Sequence, residues 1–369
     1  MSYIARILSI FLVFFYFQLF PQQPVQAPPS LPEPFYEVIG VPTGLTQEQM
    51  RRQLQTYIER KDPVTKNKSI IVGVPQTLAL PAYVPLPFYQ PDFLAYIADT
   101  NGGIQFFDPS CSCNDNPEIK RIKDTITQQR TRLEQLLIVR SALYNYYIHN
   151  KKLPKKLEEV AGAFPANYLS RIPFTQAAHS KAIPALHKTG IIYQPERLSS
   201  KKLWESMSDV LYSGDAAEPP VKLQPLEITV YQSSFRMIVQ SGPYAVRSYP
   251  IGLGAEQRTP LGLYTIKQKV SNPVSENNVY GTRGLVLNDT AYAIHGTNNP
   301  NSIGKAVSMG CIRLSNAHVE ELFSMVPIGT KVNIKAGAAP ALQQPNAPAF
   351  TIKPRINEEN PHYVYNWKQ

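Results

Sequence analysis

The sequence predicts a mainly β C-terminal domain with one short helix, preceded by a smaller α+β region that contains a long helix. Three observations support this fold class. Apolar and polar residues alternate from Leu226 onward, as they do in half-buried strands. Apolar residues recur at helical spacing between positions 116 and 150. The 34 prolines concentrate near both ends and between Pro75 and Pro91, where they favour extended connectors over helices.

Residues 1–33 are predicted to be a signal peptide or membrane anchor followed by a Pro-rich linker. Arg6 precedes an apolar run over residues 7–20, which has the length of a secretory signal and is short for a spanning helix. A small-residue cleavage motif ends at Ala27, but Pro28 follows it directly, so a retained anchor is the alternative. A buried core helix is the third reading. We expect export to the bacterial cell envelope.

Residues 34–115 are predicted to hold one short helix and then proline-broken loops and short strands. Thr46 and Gln49 form a capping-box pattern at the start of that helix. Its apolar face consists of Met50, Leu54, Tyr57 and Ile58.

Residues 116–225 are predicted to form a long helix and a small α+β module of unknown role. Asn116 is a good N-cap, Pro117 a good first residue, and Asn150 with Pro154 ends the helix. The run "ALYNYYIHNKKLPKKLEEVAGAFPANYLSRIPF" resembles the globular part of type II secretion pseudopilins over about forty residues. An amphipathic helix that packs on the rest of the chain is the alternative.

Residues 226–335 are predicted to be the mainly β domain. "SSF" and "SGPY" divide the first alternating segment into successive hairpins, and "TPLGLYTIKQKV" and "RGLVLNDTAYAIHG" continue as strands. The segment "SNAHVEELFSMV" predicts one short helix capped by Asn316, and "GTKVNIKAG" predicts a closing strand. Residues 336–369 are an Ala/Pro-rich tail that ends in the aromatic run "HYVYNW", to which the sequence assigns no purpose.

The net charge of +10 favours anionic surroundings such as phospholipid headgroups, acidic wall polymers or nucleic acid. No aromatic RNA-binding signature and no long Arg-rich helix is present in the sequence, so we expect no nucleic-acid partner. An anionic envelope surface is the expected partner. The basic run "KKLPKK" is read as a solvated loop, with a polyanion site as the alternative.

The three cysteines are an odd number for an exported chain, so at least one is unpaired in a monomer. Cys111 and Cys113 are one residue apart, where a disulfide would close a strained ring and too few further ligands stand nearby for a metal. They are read as a local, redox-labile pair without a catalytic part. Cys311 is then the odd thiol: a packed apolar residue, half of a disulfide, a metal ligand or a nucleophile.

His295 ends an alternating strand, and Cys311 follows it by 16 positions, beyond a polar loop. Such a loop can bring the two side chains together, and an imidazole beside a thiol can take its proton and create a thiolate nucleophile. The amides around Gly310 and Cys311 could then hold an oxyanion. A lone cysteine and histidine in one domain more often reflect packing and surface, so residue chemistry alone leaves both readings open.

The ordered motifs "YPIGLG", "TPLGLYTIKQKVSNP", "VYGTRGLVLN" and "YAIHGTNNPNSIGKAVSMGCIRLSN" resemble the catalytic domain of YkuD-type L,D-transpeptidases. The resemblance runs over 226–335, under a third of the chain, and implies a YkuD-like β-sandwich or barrel. It implies that Cys311 attacks, that His295 is its base, and that the Gly296 carbonyl orients the imidazole. It implies that Gly310 belongs to the oxyanion-holding turn.

The resemblance also implies a group of substrate-binding residues, namely Thr282, Arg283, Ser308, Met309 and Arg313. Ser308 would in addition shape the nucleophile turn. Met309 departs from the family pattern, because many relatives have a second histidine there and methionine cannot carry a proton. Activity is expected to survive, since His295 fills the upstream base position, with altered pH dependence or substrate fit.

The implied reaction is two-step acyl transfer on peptidoglycan stem peptides, without metal or cofactor. Cys311 would attack the carbonyl of the diamino acid at the third position, release the terminal D-Ala and leave a thioester. An amine of a second stem would resolve it into a 3–3 cross-link. Water as acceptor would make an L,D-carboxypeptidase, and a non-catalytic wall-binding module is the third reading. Carbapenem β-lactams are the expected inhibitors, through the same cysteine.

Overall fold

The computed structural model describes residues 36–42, 45–60, 70–76, 84–85, 95–98, 104–107, 117–174, 190–213, 222–340, 350, 352–353 and 357–368. The expected signal or anchor segment, the Cys111–Cys113 pair and the Asn116 cap all lie outside these residues and stay predictions. Within the described ranges, no helix combines the length and the apolar character that crossing a bilayer requires.

The α-helices of the described residues are α1 (Gln47–Glu59), α2 (Pro117–Asn150), α3 (Met207–Val210) and α4 (Asn316–Met325). The capping box predicted for α1 is confirmed, because Thr46 Oγ1 accepts a hydrogen bond from the Gln49 amide and Gln49 Oε1 accepts one from the Thr46 amide. The predicted bounds of α2 are confirmed as well: it begins at Pro117, where a missing N–H costs nothing, and ends at Asn150.

The strands of the described residues fall into four sheets. The first sheet has the strand order β1-β2-β4-β5, and the second has the order β16-β14-β13-β12-β17-β8-β9-β10-β3. The other two sheets are the strand pairs β11-β15 and β6-β7. Their bounds are β1 Tyr36–Pro42, β2 Ile70–Gln76, β3 Val84–Pro85, β4 Ala95–Ala98, β5 Ile104–Phe107, β6 Ile191–Tyr193, β7 Leu211–Ser213, β8 Leu226–Tyr231, β9 Arg236–Ser241, β10 Tyr244–Pro250, β11 Leu253–Gly254, β12 Gly262–Ser271, β13 Arg283–Leu287, β14 Ala293–His295, β15 Ala306–Ser308, β16 Ile312–Arg313 and β17 Lys331–Lys335.

The C-terminal region is a curled mixed sheet with one short helix, which confirms the predicted fold class. The hairpins β8–β9 and β9–β10 form where the sequence predicted them. The closing strand β17 lies in the middle of the sheet, parallel to β8 and antiparallel to β12. The predicted cap of α4 was wrong: Ser315 accepts the hydrogen bond from the His318 amide, because Asn316 already has helical backbone geometry.

Helix α2 shares a hydrophobic core with the C-terminal sheet. Leu136 and Leu143 of α2 belong to the same buried cluster as Ile228 of β8 and Leu322 of α4. The Ser141 hydroxyl on α2 accepts a hydrogen bond from the Leu226 amide at 3.0 Å, at the first residue of β8. Elements on both sides of the predicted 225/226 boundary therefore bury one another, while the boundary itself stays a prediction.

A buried charge network joins α2, the sheet and α4. Arg247 Nη2 lies 2.6 Å from Glu134 Oε1, and Arg247 Nε lies 2.7 Å from Glu321 Oε1. All three side chains are less than a tenth exposed. Removing one member of such a network leaves a buried charge without compensation, which is costlier than never having buried the group.

We expect Arg247→Ala to lower the free energy of unfolding by about 3–5 kcal/mol, because it removes the cation that contacts two buried carboxylates. Chemical denaturation followed by circular dichroism measures this. The matched control is Arg258→Ala, because the Arg258–Glu256 ion pair is 46% and 77% exposed. That change should cost less than about 1 kcal/mol. Equal losses in the two variants would contradict a structural role for the network.

Candidate active site

Strand pairing places the two predicted catalytic residues on one face of the sheet. β14 runs parallel to β16, with Ile294 opposite Ile312 and His295 opposite Arg313. One step back in this register, Cys311 lies opposite Ala293, whose amide donates to Cys311 Sγ at 3.4 Å. His295 and Cys311 are thus diagonal neighbours on adjacent strands, roughly 8 Å apart at Cα from strand spacing and rise.

The His295 imidazole is held in one orientation by its surroundings. Its Nδ1 contacts the carbonyl of Gly296, the group that the family resemblance implied as the one orienting the imidazole. A carbonyl only accepts, so Nδ1 carries the proton and Nε2 keeps its lone pair. The Tyr280 ring meets the imidazole edge-on at 4.9 Å, and the Trp367 ring stacks on it at 5.9 Å. Nε2 is buried without a hydrogen-bond partner among the described residues.

The thiol and the imidazole are both enclosed, and both are uncharged near neutral pH. Cys311 is a free thiol with 0% exposure, and His295 is 1% exposed. Burial raises the pKa of the Cys311 thiol to about 12 and lowers the pKa of His295 to about 4. The cause is the same for both, because a low-dielectric environment disfavours either charge. No hydrogen bond joins Nε2 to Sγ in this arrangement of the described residues.

The turn before Cys311 is built around Gly310. Its φ of +142° suits glycine, and a Cβ there would lie 2.7 Å from a ring carbon of Tyr292. The buried Ser308 hydroxyl donates to the Cys311 carbonyl at 2.8 Å and accepts from the Gly310 amide at 3.2 Å. Thr259 donates to the Gly310 carbonyl at 2.9 Å. Ser308 thus shapes the turn, and its assignment to substrate binding stays a prediction.

The other predicted substrate-binding residues differ in their burial and in their contacts. Arg313 is half-buried opposite His295, and its Nε has no hydrogen-bond partner in the described structure. Thr282 offers its amide to Asn316 Oδ1 at 3.2 Å, and Arg283 bonds the Thr282 carbonyl and lies over the Phe323 ring. Met309 is 59% exposed. Their roles toward substrate stay predictions.

The sequence analysis missed four residues that enclose the site. Tyr280 and Trp367 contact the imidazole, and the Lys368 ammonium is 2.9 Å from the Tyr292 hydroxyl. The Lys368 carbonyl accepts a hydrogen bond from the Cys311 amide at 2.7 Å. The one available signal was the aromatic run "HYVYNW", which stands out in an Ala/Pro-rich tail.

The arrangement contains the parts of a thiol-based acyl-transfer site. A neutral imidazole with a free Nε2 lone pair and a thiol lie on the same face of two adjacent strands. The Cys311 amide points at a peptide carbonyl, which is the contact that an oxyanion would need. The Gly310 amide instead donates to the Ser308 hydroxyl. The Cys311 amide is therefore the better candidate for the donor that would bind an oxyanion.

The sequence of this region matches known proteins. Residues 225–334 match the family model described as the L,D-transpeptidase catalytic domain, YkuD. A putative L,D-transpeptidase YkuD of Bacillus subtilis is 41% identical over 111 residues, 30% of this chain and 66% of the relative. Its namesake from Bacillus licheniformis is 49% identical over 90 residues, 24% of this chain and 53% of the relative. The chain thus spans about half to two thirds of these relatives.

Solved structures of the same class are also similar. An L,D-transpeptidase from Mycobacterium smegmatis is 19% identical with a TM-score of 0.28, over 34% of this chain and 65% of that one. The catalytic domain of the E. faecium L,D-transpeptidase acylated by ertapenem is 21% identical with a TM-score of 0.27, over 31% of this chain and all of that one. The family model and the curated relatives thus agree that residues 225–334 of this chain are similar to the L,D-transpeptidase catalytic domain of the YkuD type.

Proposed function

We propose that this protein performs cysteine-dependent acyl transfer on peptidoglycan stem peptides, with Cys311 as nucleophile and His295 as base. The observation that supports the proposal is the pairing of β14 with β16, which gives His295 and Cys311 diagonal positions on one face of the sheet. The match to the catalytic-domain family model supports the substrate class. Release of the terminal D-Ala and formation of a 3–3 cross-link make it an L,D-transpeptidase.

The proposed first step forms a thioester. His295 Nε2 takes the proton of Cys311 Sγ, and the thiolate attacks the carbonyl carbon of the donor's third residue. The Cys311 amide stabilises the oxyanion of the tetrahedral intermediate. Collapse of this intermediate breaks the bond to D-Ala, whose amine leaves with the proton that the imidazolium returns.

The proposed second step transfers the acyl group. The side-chain amine of an acceptor stem attacks the thioester, loses a proton to His295, and forms the cross-linking amide. The thiolate leaves and is reprotonated, so the enzyme returns to its starting state. Water in place of the amine gives an L,D-carboxypeptidase with the same donor half-reaction. In this scheme the nucleophile and the oxyanion donor come from Cys311, and the base comes from His295.

The proposal extends to inhibitors and location. An L,D-transpeptidase structure is described as a complex with imipenem and another as acylated by ertapenem. We infer that carbapenems acylate Cys311 of this chain in the same way. A substrate in the cell envelope requires export, and the apolar run over residues 7–20 with the net charge of +10 suits an anionic envelope surface.

Product analysis with and without an acceptor tests the function. Full-length protein is incubated with a purified disaccharide-tetrapeptide, and D-Ala and muropeptides are quantified by mass spectrometry. We expect D-Ala release together with a cross-linked dimer, because donor and acceptor are present in the same molecule. D-Ala release with tripeptide as the sole product would replace the transpeptidase with the carboxypeptidase. Binding without D-Ala release would contradict the proposal and favour a wall-binding module.

A further inference from the structure

Residues 357–368, called the strap below, run across the site that contains His295 and Cys311. Main-chain hydrogen bonds attach the strap along its length to the catalytic domain. They join the Ser271 amide to the Glu358 carbonyl at 2.9 Å, the Tyr365 amide to the Val274 carbonyl at 2.9 Å, the Lys368 amide to the Ala291 carbonyl at 3.0 Å, and the Cys311 amide to the Lys368 carbonyl at 2.7 Å. The strap therefore follows the surface of the catalytic domain from Ser271 to Cys311 through main-chain hydrogen bonds.

The beginning of the strap is fixed by a buried polar anchor. Glu358 is 2% exposed and accepts a hydrogen bond from Asn167 Nδ2 at 3.0 Å. Lys269, which is fully buried, donates to the Tyr168 carbonyl at 3.1 Å; burial lowers the pKa of Lys269 to about 8, and the Glu358 charge opposes that shift. Burying polar groups this deep is costly unless they are hydrogen-bonded, and the bonds to Asn167 and Tyr168 offset part of that cost. The strap is thus docked at a specific site on the domain.

The C-terminal part of the strap covers the proposed base, His295. Trp367 is 5% exposed, stacks on His295 and lies 4.4 Å from the Tyr280 ring. The Tyr280 hydroxyl donates to the Trp367 carbonyl at 3.0 Å. These contacts exclude water from the imidazole, and this exclusion is what leaves Nε2 buried without a partner.

The Lys368 carbonyl at the end of the strap bonds the amide that the carbonyl of a donor stem would need. The Cys311 amide, which the proposed reaction needs for the oxyanion, is hydrogen-bonded to the Lys368 carbonyl. The Lys368 ammonium lies 2.9 Å from the Tyr292 hydroxyl and 4.7 Å from the centre of the Tyr292 ring. An L-residue with a side-chain amine therefore sits at the nucleophile, as the diamino acid of a stem peptide would.

We propose that the strap is a built-in pseudosubstrate: it fills the donor site over Cys311 and His295, and a stem peptide must displace it before the first acyl transfer. This inference rests on the proposed function for the identity of the displaced substrate. The closed arrangement also protects the strap from attack, because burial keeps the thiol protonated and no hydrogen bond joins it to the imidazole. Tyr292 is then the group that receives the donor's side-chain amine.

Alkylation of Cys311 tests the strap independently of acyl transfer. Full-length protein is treated with iodoacetamide, and the rate of modification is read from the mass of the peptide that contains Cys311. Lys368→Pro removes the amide that bonds Ala291 and should raise the rate at least about tenfold, because the reactive open state gains population. The matched control Asn366→Ala keeps the main-chain bonds of the strap and loses an exposed side chain of the same segment. Its rate should stay within about threefold of the parent.

A second variant guards against a result that reflects misfolding. A chain that ends at residue 356 should be alkylated fast, and a synthetic peptide of residues 357–368 should slow it again in a concentration-dependent way. Alkylation rates that are equal in the parent, in folded Lys368→Pro and in the shortened chain would overturn the pseudosubstrate. Faster alkylation in variants that release no D-Ala would support the pseudosubstrate and contradict the proposed function. D-Ala release with alkylation rates equal to the parent's would support the proposed function and contradict the pseudosubstrate.

Discussion

Replacing Cys311 by alanine is expected to abolish D-Ala release from tetrapeptide stems, a loss of at least about 10³-fold. The reason is chemical, because the alanine methyl group cannot form the thioester that links the two half-reactions. The fold should persist, since the change removes a single buried sulfur and leaves the Cys311 main-chain bonds intact. Release of D-Ala by purified variants, measured with a coupled D-amino-acid assay, gives the answer.

The serine variant separates loss of the nucleophile from loss of packing. Cys311→Ser has almost the volume of the parent side chain, yet a hydroxyl is a far weaker nucleophile without a stronger base. It should unfold near the parent temperature and be as inactive as the alanine variant. Activity in Cys311→Ala close to that of the parent would contradict a covalent mechanism at this residue.

Replacing His295 by alanine should lower kcat/KM by about 10²–10⁴-fold near neutral pH, because the thiol then loses its general base. The direction of the pH dependence follows from the pKa values. Burial lowers the pKa of His295 to about 4, so the parent imidazole is neutral and able to accept a proton at pH 7. In His295→Ala the residual rate should instead rise about tenfold per pH unit, because it depends on the small thiolate fraction.

A matched control for His295 is His149→Ala. His149 is exposed in the last turn of α2 and takes no part in the cleft. This variant should keep the parent rate and the parent pH profile. A His295→Ala variant with the parent's pH profile would show that another group ionises the thiol.

Local patterns in the sequence predicted most of the individual elements. The bounds of α2 follow from a proline that fits a first turn and from the residues that end the helix, and both signals act within a few positions. The hairpins β8–β9–β10 follow from strand alternation and turn residues in the same way. The Asn316 cap was mispredicted because Ser315 precedes it, and two adjacent capping residues compete for one place.

The environment of the thiol could not be predicted, because it depends on residues far away along the chain. Cys311 Sγ accepts a hydrogen bond from the Ala293 amide on the neighbouring strand, and the Cys311 amide donates to the Lys368 carbonyl in the tail. Lys269 looks like an ordinary strand lysine, and only tertiary packing against Phe323 and Tyr168 makes it a buried one. The sequence predicted Cys311 as nucleophile and His295 as base, while it gave no sign that the tail covers these two residues.

The buried charges that join α2 to the sheet could not be predicted from the sequence either. Glu134 and Glu321 are charged residues on helices, where exposure is the usual expectation. They are buried because Arg247 of β10 lies between them. A sequence pattern that records only polar and apolar positions cannot anticipate such a network, since the three residues come from separate elements.

Intact-mass analysis of the full-length protein with a carbapenem tests the central claim most directly, namely that Cys311 is a nucleophile activated by His295. We predict a mass gain of one inhibitor, located on the peptide that contains Cys311. The gain should be faster in Lys368→Pro, slower in His295→Ala and absent in Cys311→Ala. A protein that gains no mass even in Lys368→Pro, or an adduct that persists in Cys311→Ala, would contradict it.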